Sequence, residues 1–249
     1  MTTTSDTSDN KATTELNSFI AGLGVDMHAI ADLRQLALKG GDMEFNAIDF
    51  WGKYLYAVIL GVQLGKLGKD VTGVMADLFL ERAALEVLNY LERKGYPCLI
   101  IHPEDEFDPV NRFGLVSLKV LAKEAGLGWQ GRSLLIISPQ YGPIYRLIAV
   151  ATNLPLDPGH RMAGRCGKCT LCIKKCPAGA LTLQYFDDRP VRREDVLDIT
   201  KCKGDDGCLV CLEVCPWRTR AGKLKSRWSA VDSRQSGEGE LEDRQRSRT

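Results

Sequence analysis

Eight of the nine cysteines in this 249-residue chain fall between Cys166 and Cys215. The first run is Cys166-Gly-Lys-Cys169-Thr-Leu-Cys172-Ile-Lys-Lys-Cys176-Pro177. The second is Cys202, then Cys208-Leu-Val-Cys211-Leu-Glu-Val-Cys215-Pro216. Thiolates are soft ligands, and a C-x2-C-x2-C-x3-C-P run suits iron–sulfur chemistry. Each iron of a [4Fe–4S] cube takes three sulfides and one protein thiolate, so eight thiolates serve two cubes with none left over. Zinc sites separate their C-x2-C pairs by longer spacers and do not use a triple closed by Cys-Pro. Disulfides fit no better: the count is odd, the N-terminus is Thr/Ser/Asp-rich rather than a hydrophobic leader, and a reducing cytoplasm is the expected setting. Cys98, in Pro97-Cys98-Leu-Ile-Ile101, stands apart and reads as a buried strand thiol.

In two-cluster ferredoxins such a run gives three ligands to one cube and its fourth cysteine to the other. By that likeness Cys166, Cys169, Cys172 and Cys215 hold cluster one, while Cys176, Cys202, Cys208 and Cys211 hold cluster two. The gap between Cys202 and Cys208 is not a standard spacing. Pro177 and Pro216 have no N–H to compete near the clusters, and Gly167, Gly179, Gly204 and Gly207 permit close backbone approach.

The preceding residues must supply what the clusters serve. Leu16, Phe19, Ile20 and Leu23 recur at helical spacing before Gly24. Val25 to Leu33 reads as a short strand running into a turn, and 36–52 as loop plus short helix. Tyr54 to Gln63 is a continuous apolar run, expected as a buried strand. Val74 to Lys94 is expected as the longest helix, with Leu78, Ala84, Leu85, Leu88 and Leu91 facing the core. Tyr96 to His102 follows as a second buried strand, and Leu115 to Ala125 as a helix ended by Gly126. Leu134 to Ser138 and Ile144 to Thr152 read as two strands around the turn Pro139-Gln-Tyr-Gly142. Leu154-Pro-Leu-Asp-Pro-Gly159 reads as a hinge into the cluster segment. Within that segment, Leu181 to Tyr185 is expected as a strand and Arg193 to Leu197 as a helix.

The stretch Ala125-Gly-Leu-Gly-Trp-Gln-Gly-Arg-Ser-Leu-Leu-Ile-Ile-Ser-Pro-Gln-Tyr-Gly142 resembles a segment of the epoxyqueuosine reductases, which carry A-G-L-G-W-x-G-K and then L-L-I-x-P-x-Y-G. The L-P-L sequence, both cysteine runs and Trp217 follow in the same order, so the resemblance covers about residues 110–217. Reductive dehalogenases are more distant relatives with that layout. The resemblance implies an α+β fold: a nitroreductase-like core over 14–158, binding a corrinoid or a substrate, then a bacterial ferredoxin-like two-cluster domain over 159–223. Residues 1–13 and 224–249 are expected as disordered tails. By the same resemblance cobalamin is the expected electron acceptor. Three departures argue against tRNA as the substrate. The position expected to hold a catalytic aspartate is Arg112, with Asp108 four residues away; the chain ends in a short polar tail where the relatives continue into helical repeats; and the Cys202–Cys208 segment is short.

Gly126, Gly128 and Gly131 look like a phosphate loop, but they follow a helix rather than a strand. They are expected instead to let backbone approach a flat ligand, alongside Trp129, with Arg132 and Ser133 at its polar edge. Tyr141 is the one candidate proton donor, weighed against simple packing. His102 reads as a hydrogen-bonded structural histidine and His160 as a surface loop residue. A basic stretch (Arg218, Arg220, Lys223, Lys225, Arg227) is read as a solvated tail or as a dock for an acidic donor such as a ferredoxin or flavodoxin. The net charge of +1 gives no general pull toward nucleic acid, DNA included. The longest apolar run, Tyr54 to Val62, is about half a membrane span. The functional expectation is an iron–sulfur oxidoreductase passing low-potential electrons to a corrinoid or small substrate. The alternative is an accessory protein that reduces a corrinoid or metal centre on a partner.

Overall fold

The computed structural model describes residues 5–38, 53–64, 73–103, 110, 114, 116–183, 185–186, 190, 192–204 and 207–218. The body is a four-stranded antiparallel sheet with helices on both faces, an α+β arrangement. Helix α1 (Ser5–Ala21) precedes β1 (Met27–Asp32), α2 (Leu33–Leu38) and β2 (Tyr56–Gln63). Next come α3 (Gly73–Arg93), β3 (Cys98–Ile101), α4 (Leu118–Glu124), the short pair β4 (Trp129–Gln130) and β5 (Ile136–Ile137), and β6 (Tyr145–Thr152). The sheet order is β1-β2-β6-β3, with β2 and β6 central.

Strand period explains the two-sided core. Successive side chains on β2 point to opposite faces. Tyr56, Val58, Leu60 and Val62 join Ile148 and Val150 of β6 against Leu16 and Ile20 of α1 and Leu80, Val87 and Leu91 of α3. Ala57 and Ile59 join Ala149 and Ala151 on the other face, against Leu33 and Leu36 of α2 and Leu121 of α4. With both faces covered, β2 has no solvent side and reads as an unbroken apolar run.

Several expectations shift. The polar segment 1–13 is helical from Ser5 onward, because Ala12 packs on the core and the Thr13 hydroxyl accepts the Asp157 N–H at 2.8 Å. Helix α3 turns a partly different face inward: Ala84 and Leu91 are buried as expected, together with Ala76, Leu80, Ala83 and Val87, whereas Leu78 and Leu85 are more than half exposed. Strand β3 is a sheet edge and only half buried, with Cys98 partly accessible and Leu99 exposed. Strands β5 and β6 do not pair across the 139–142 turn. Ile136–Ile137 pairs with Trp129–Gln130, and β6 pairs with β2 and β3. The 154–159 segment is clamped rather than hinge-like, since Leu154 and Leu156 are buried and the Gly159 N–H donates to the Ile30 carbonyl at 2.8 Å. Among the described residues of the strand expected at 181–185 there is one bridge, Leu181 to Leu197, beside a 3-10 turn at Arg193–Asp195. The 39–52 loop and helix and the 224–249 tail lie outside the described residues.

Candidate metal centre

The connection from β6 brings the first cysteine run against the body. Gly159 sits so close to α4 that an added Cβ would stand 2.0 Å from the Ala125 carbonyl oxygen, and at Gly126 (φ +77°) it would stand 2.2 Å from the His160 carbonyl oxygen. A Cβ on Gly128 would meet the Ile137 carbonyl oxygen at 2.3 Å. These glycines let protein backbone pack on protein backbone, so the expected ligand approach at Gly126 and Gly128 gives way to internal packing. Glu124, buried at the end of α4, receives Arg161 through its Nε at 2.5 Å and pins the entering chain a second time.

Beyond this junction the chain makes two single-turn helices, α5 (Leu171–Lys174) and α6 (Val210–Glu213), which pack on each other. They bring the two cysteine runs together. The Cys172 thiol feels those of Cys166, Cys169 and Cys215; burial first, and these neighbours next, push it up to about 11. The Cys211 thiol feels those of Cys202, Cys208 and Cys176, and is also raised chiefly by burial. Cys215, from the second run, has Cys166 and Cys169 of the first as neighbours and is raised by burial as well. Cys176 differs. Burial works to raise it, but the backbone N–H groups of Ala180, Leu181, Ala178 and Gly179 hold it below the ordinary thiol range. Pro177 has no N–H, and Gly179 at φ +59° curls the following amides onto the sulfur.

A cavity of about 210 Å³ opens among these groups, lined by Cys166, Cys169, Cys172, Cys211 and Cys215 and by Arg165, Pro216 and Trp217. The body contributes Gly131, Arg132, Ser133 and Ile137 to the same wall. Five thiols gathered on one cavity resist ionising together unless cations sit among them, so the donor set fits a soft metal cluster. Among the described residues no three His, Cys, Asp or Glu groups converge tightly enough for a single ion. The thiolates of a cube sit on four separate irons and need no such convergence.

The other expected site residues divide. Gly131, Arg132 and Ser133 line the cavity. Trp129 does not; it is buried behind the wall, edge-on to Trp217 at 4.7 Å and under the Arg165 guanidinium at 5.7 Å. Tyr141 is a buried core residue that does not line the cavity. Its hydroxyl donates to the Asp26 carbonyl at 2.9 Å, and burial raises it further from proton-donor range. His102 lies 3.1 Å from Glu81 of α3, and His160 is exposed. Arg165, exposed at the cavity mouth, escaped the sequence reading, because nothing separates it from an ordinary loop cation before its contact with Trp129 is known. The basic stretch after Arg218 lies outside the described residues.

Residues 165–219 match the 4Fe-4S dicluster domain family. The epoxyqueuosine reductase of Listeria monocytogenes is 40% identical over 115 residues, 42% of this chain and 30% of that protein. That of Bacillus anthracis is 37% identical over 127 residues, 46% of this chain and 33% of that protein. The aligned segments thus span about a third of the length of these curated relatives. An epoxyqueuosine reductase solved with a tRNA-Tyr stem loop superposes with a TM-score of 0.61 at 20% identity, over 84% of this chain and 66% of that one. A reductive dehalogenase superposes with a TM-score of 0.62 at 19% identity, over 82% of this chain and 31% of that one. The α+β fold is therefore shared with both kinds of enzyme. Among the described residues no helix is long and apolar enough to cross a membrane.

Proposed function

We propose that this chain is an oxidoreductase in which two [4Fe–4S] clusters relay single electrons to an acceptor held by the α+β body, and that the acceptor is a corrinoid. The carrying observation is the sorting of eight thiols into two neighbour sets across the cysteine runs, one of them lining a cavity shared with the body. Cys166, Cys169, Cys172 and Cys215 would hold cluster one, and Cys176, Cys202, Cys208 and Cys211 cluster two. The clusters supply one-electron chemistry at low potential. The chain ligates them, directs the 178–181 amides at Cys176, and keeps water out with Ile137, Pro216 and Trp217. Support for a corrinoid comes from the superposed dehalogenase, whose dehalogenation is described as B12-dependent. An acidic carrier of the ferredoxin or flavodoxin kind is the proposed donor. Residues 158–186 contain no Asp or Glu, and Arg165, Lys168, Lys174 and Lys175 are exposed around the first run.

Anaerobic reconstitution with iron and sulfide tests the reading. About eight irons per chain are expected, with two reducible clusters by electron paramagnetic resonance. Cobalamin added afterward is expected to change the visible spectrum saturably. Zinc in place of iron would overturn the redox reading, and failure to bind cobalamin would overturn the acceptor.

A further inference from the structure

Arg132 stands on the cavity wall and is 9% exposed. Its Nη2 donates to the Gly167 carbonyl at 2.7 Å, in the loop between Cys166 and Cys169. Its guanidinium carbon lies 4.9 Å from the centre of the Tyr185 ring. No carboxylate pairs with it among the described residues. A buried guanidinium in that position is costly unless negative charge stands close by. The cavity it faces is lined by Cys166, Cys169, Cys172 and Cys215. A cube on four thiolates is net negative, and reduction adds one more negative charge to it.

We propose that Arg132 is the internal counter-charge of cluster one and raises the reduction potential of that cluster. This rests on the two-cluster reading above. Arg132 lines the cavity from a buried position, where its charge is screened less than at the surface. The cations beside the second set, Lys174, Lys175 and Lys203, are exposed, and solvent and salt screen them. Of the second set only Cys211 reaches the cavity. Arg132 thus acts through the cluster, as a charge-setting residue that need not touch substrate.

The test is a dithionite titration of reconstituted full-length protein, following both clusters by electron paramagnetic resonance, with R132Q and R132K beside the unaltered chain. Gln keeps an N–H that can reach Gly167 and loses the charge. Lys keeps the charge and loses the planar fork. In R132Q the ratio of reduced to oxidised cluster one at a fixed potential is expected to fall at least tenfold, about 59 mV for a one-electron couple, with cluster two unmoved. In R132K the ratio is expected to stay within about threefold. An unmoved cluster one in R132Q, an equal shift of both clusters, or a tenfold fall in R132K would each overturn the proposal. If R132Q assembles no clusters, R132M, which also loses the charge, takes its place in the same titration with the same expected fall. Iron analysis before titration separates the two levels: an unaltered chain without about eight irons refutes the two-cluster reading, whereas a full complement with unmoved potentials refutes only the role of Arg132.

Discussion

Interleaving of the two cysteine runs can be tested by paired substitutions. Cys172 belongs to the first run and Cys215 to the second, yet each feels the other set members Cys166 and Cys169. Replacing both with Ala therefore strips two of four thiolates from one cube and none from the other. Two remaining thiolates are too few to hold a cube, so the protein should fall from about eight irons to about four, with one undisturbed cluster signal. The contrasting pair, C172A/C176A, takes two neighbours from one run but one ligand from each set. It should leave no undisturbed signal. Iron and sulfide analysis with electron paramagnetic resonance of the dithionite-reduced proteins reads both. If each run instead folded around its own cube, the outcomes would exchange: C172A/C176A would keep one intact cluster and C172A/C215A none. That exchange would refute the neighbour sets and with them the shared cavity.

Gly126→Ala should lower stability by at least about 2 kcal/mol, seen as a fall in Tm of about 4–8 °C, since the new Cβ meets the His160 carbonyl at a positive φ. Wild-type stability would show that the α4 junction is not tight. On α3, Leu80→Ala should cost about 2–5 kcal/mol in urea unfolding and Leu85→Ala no more than about 0.5, although both positions are leucine. His28 is held below its ordinary 6.5 by burial, with Nε2 3.1 Å from the Asn17 side-chain oxygen. The unfolded chain takes up that proton first, so the contribution is complete above about pH 6.5 and is lost as pH falls toward the folded value. Urea midpoints between pH 7.5 and 6 should decline for the unaltered chain and flatten in H28Q.

Residue order alone disclosed the thiolate chemistry and the central strand. Thiolate spacing is a local property, and the C-x2-C-x2-C-x3-C-P run limits which metals can be held before any fold is known. Tyr56–Val62 was legible because burial on both faces leaves no charged or amide side chain in the pattern before Gln63. The extent of α3 was legible too, but its inward face was not. Val74, Met75, Leu78 and Leu85 are apolar and exposed, so periodicity alone offers two stripes, and the sheet selects the one carrying small Ala76, Ala83 and Ala84. The β4–β5 pair is two residues a side, too short for an alternation to register. Glycines at 126 and 128 look the same whether a ligand or another strand of backbone lies against them, and only the fold puts His160 and Ile137 there. The grouping of Cys215 with Cys172 was already expected from the likeness of the runs to two-cluster ferredoxins. Tertiary structure alone sank Arg132 into the thiol-lined wall, because that placement depends on contacts between residues far apart in the chain, which leave no mark on spacing.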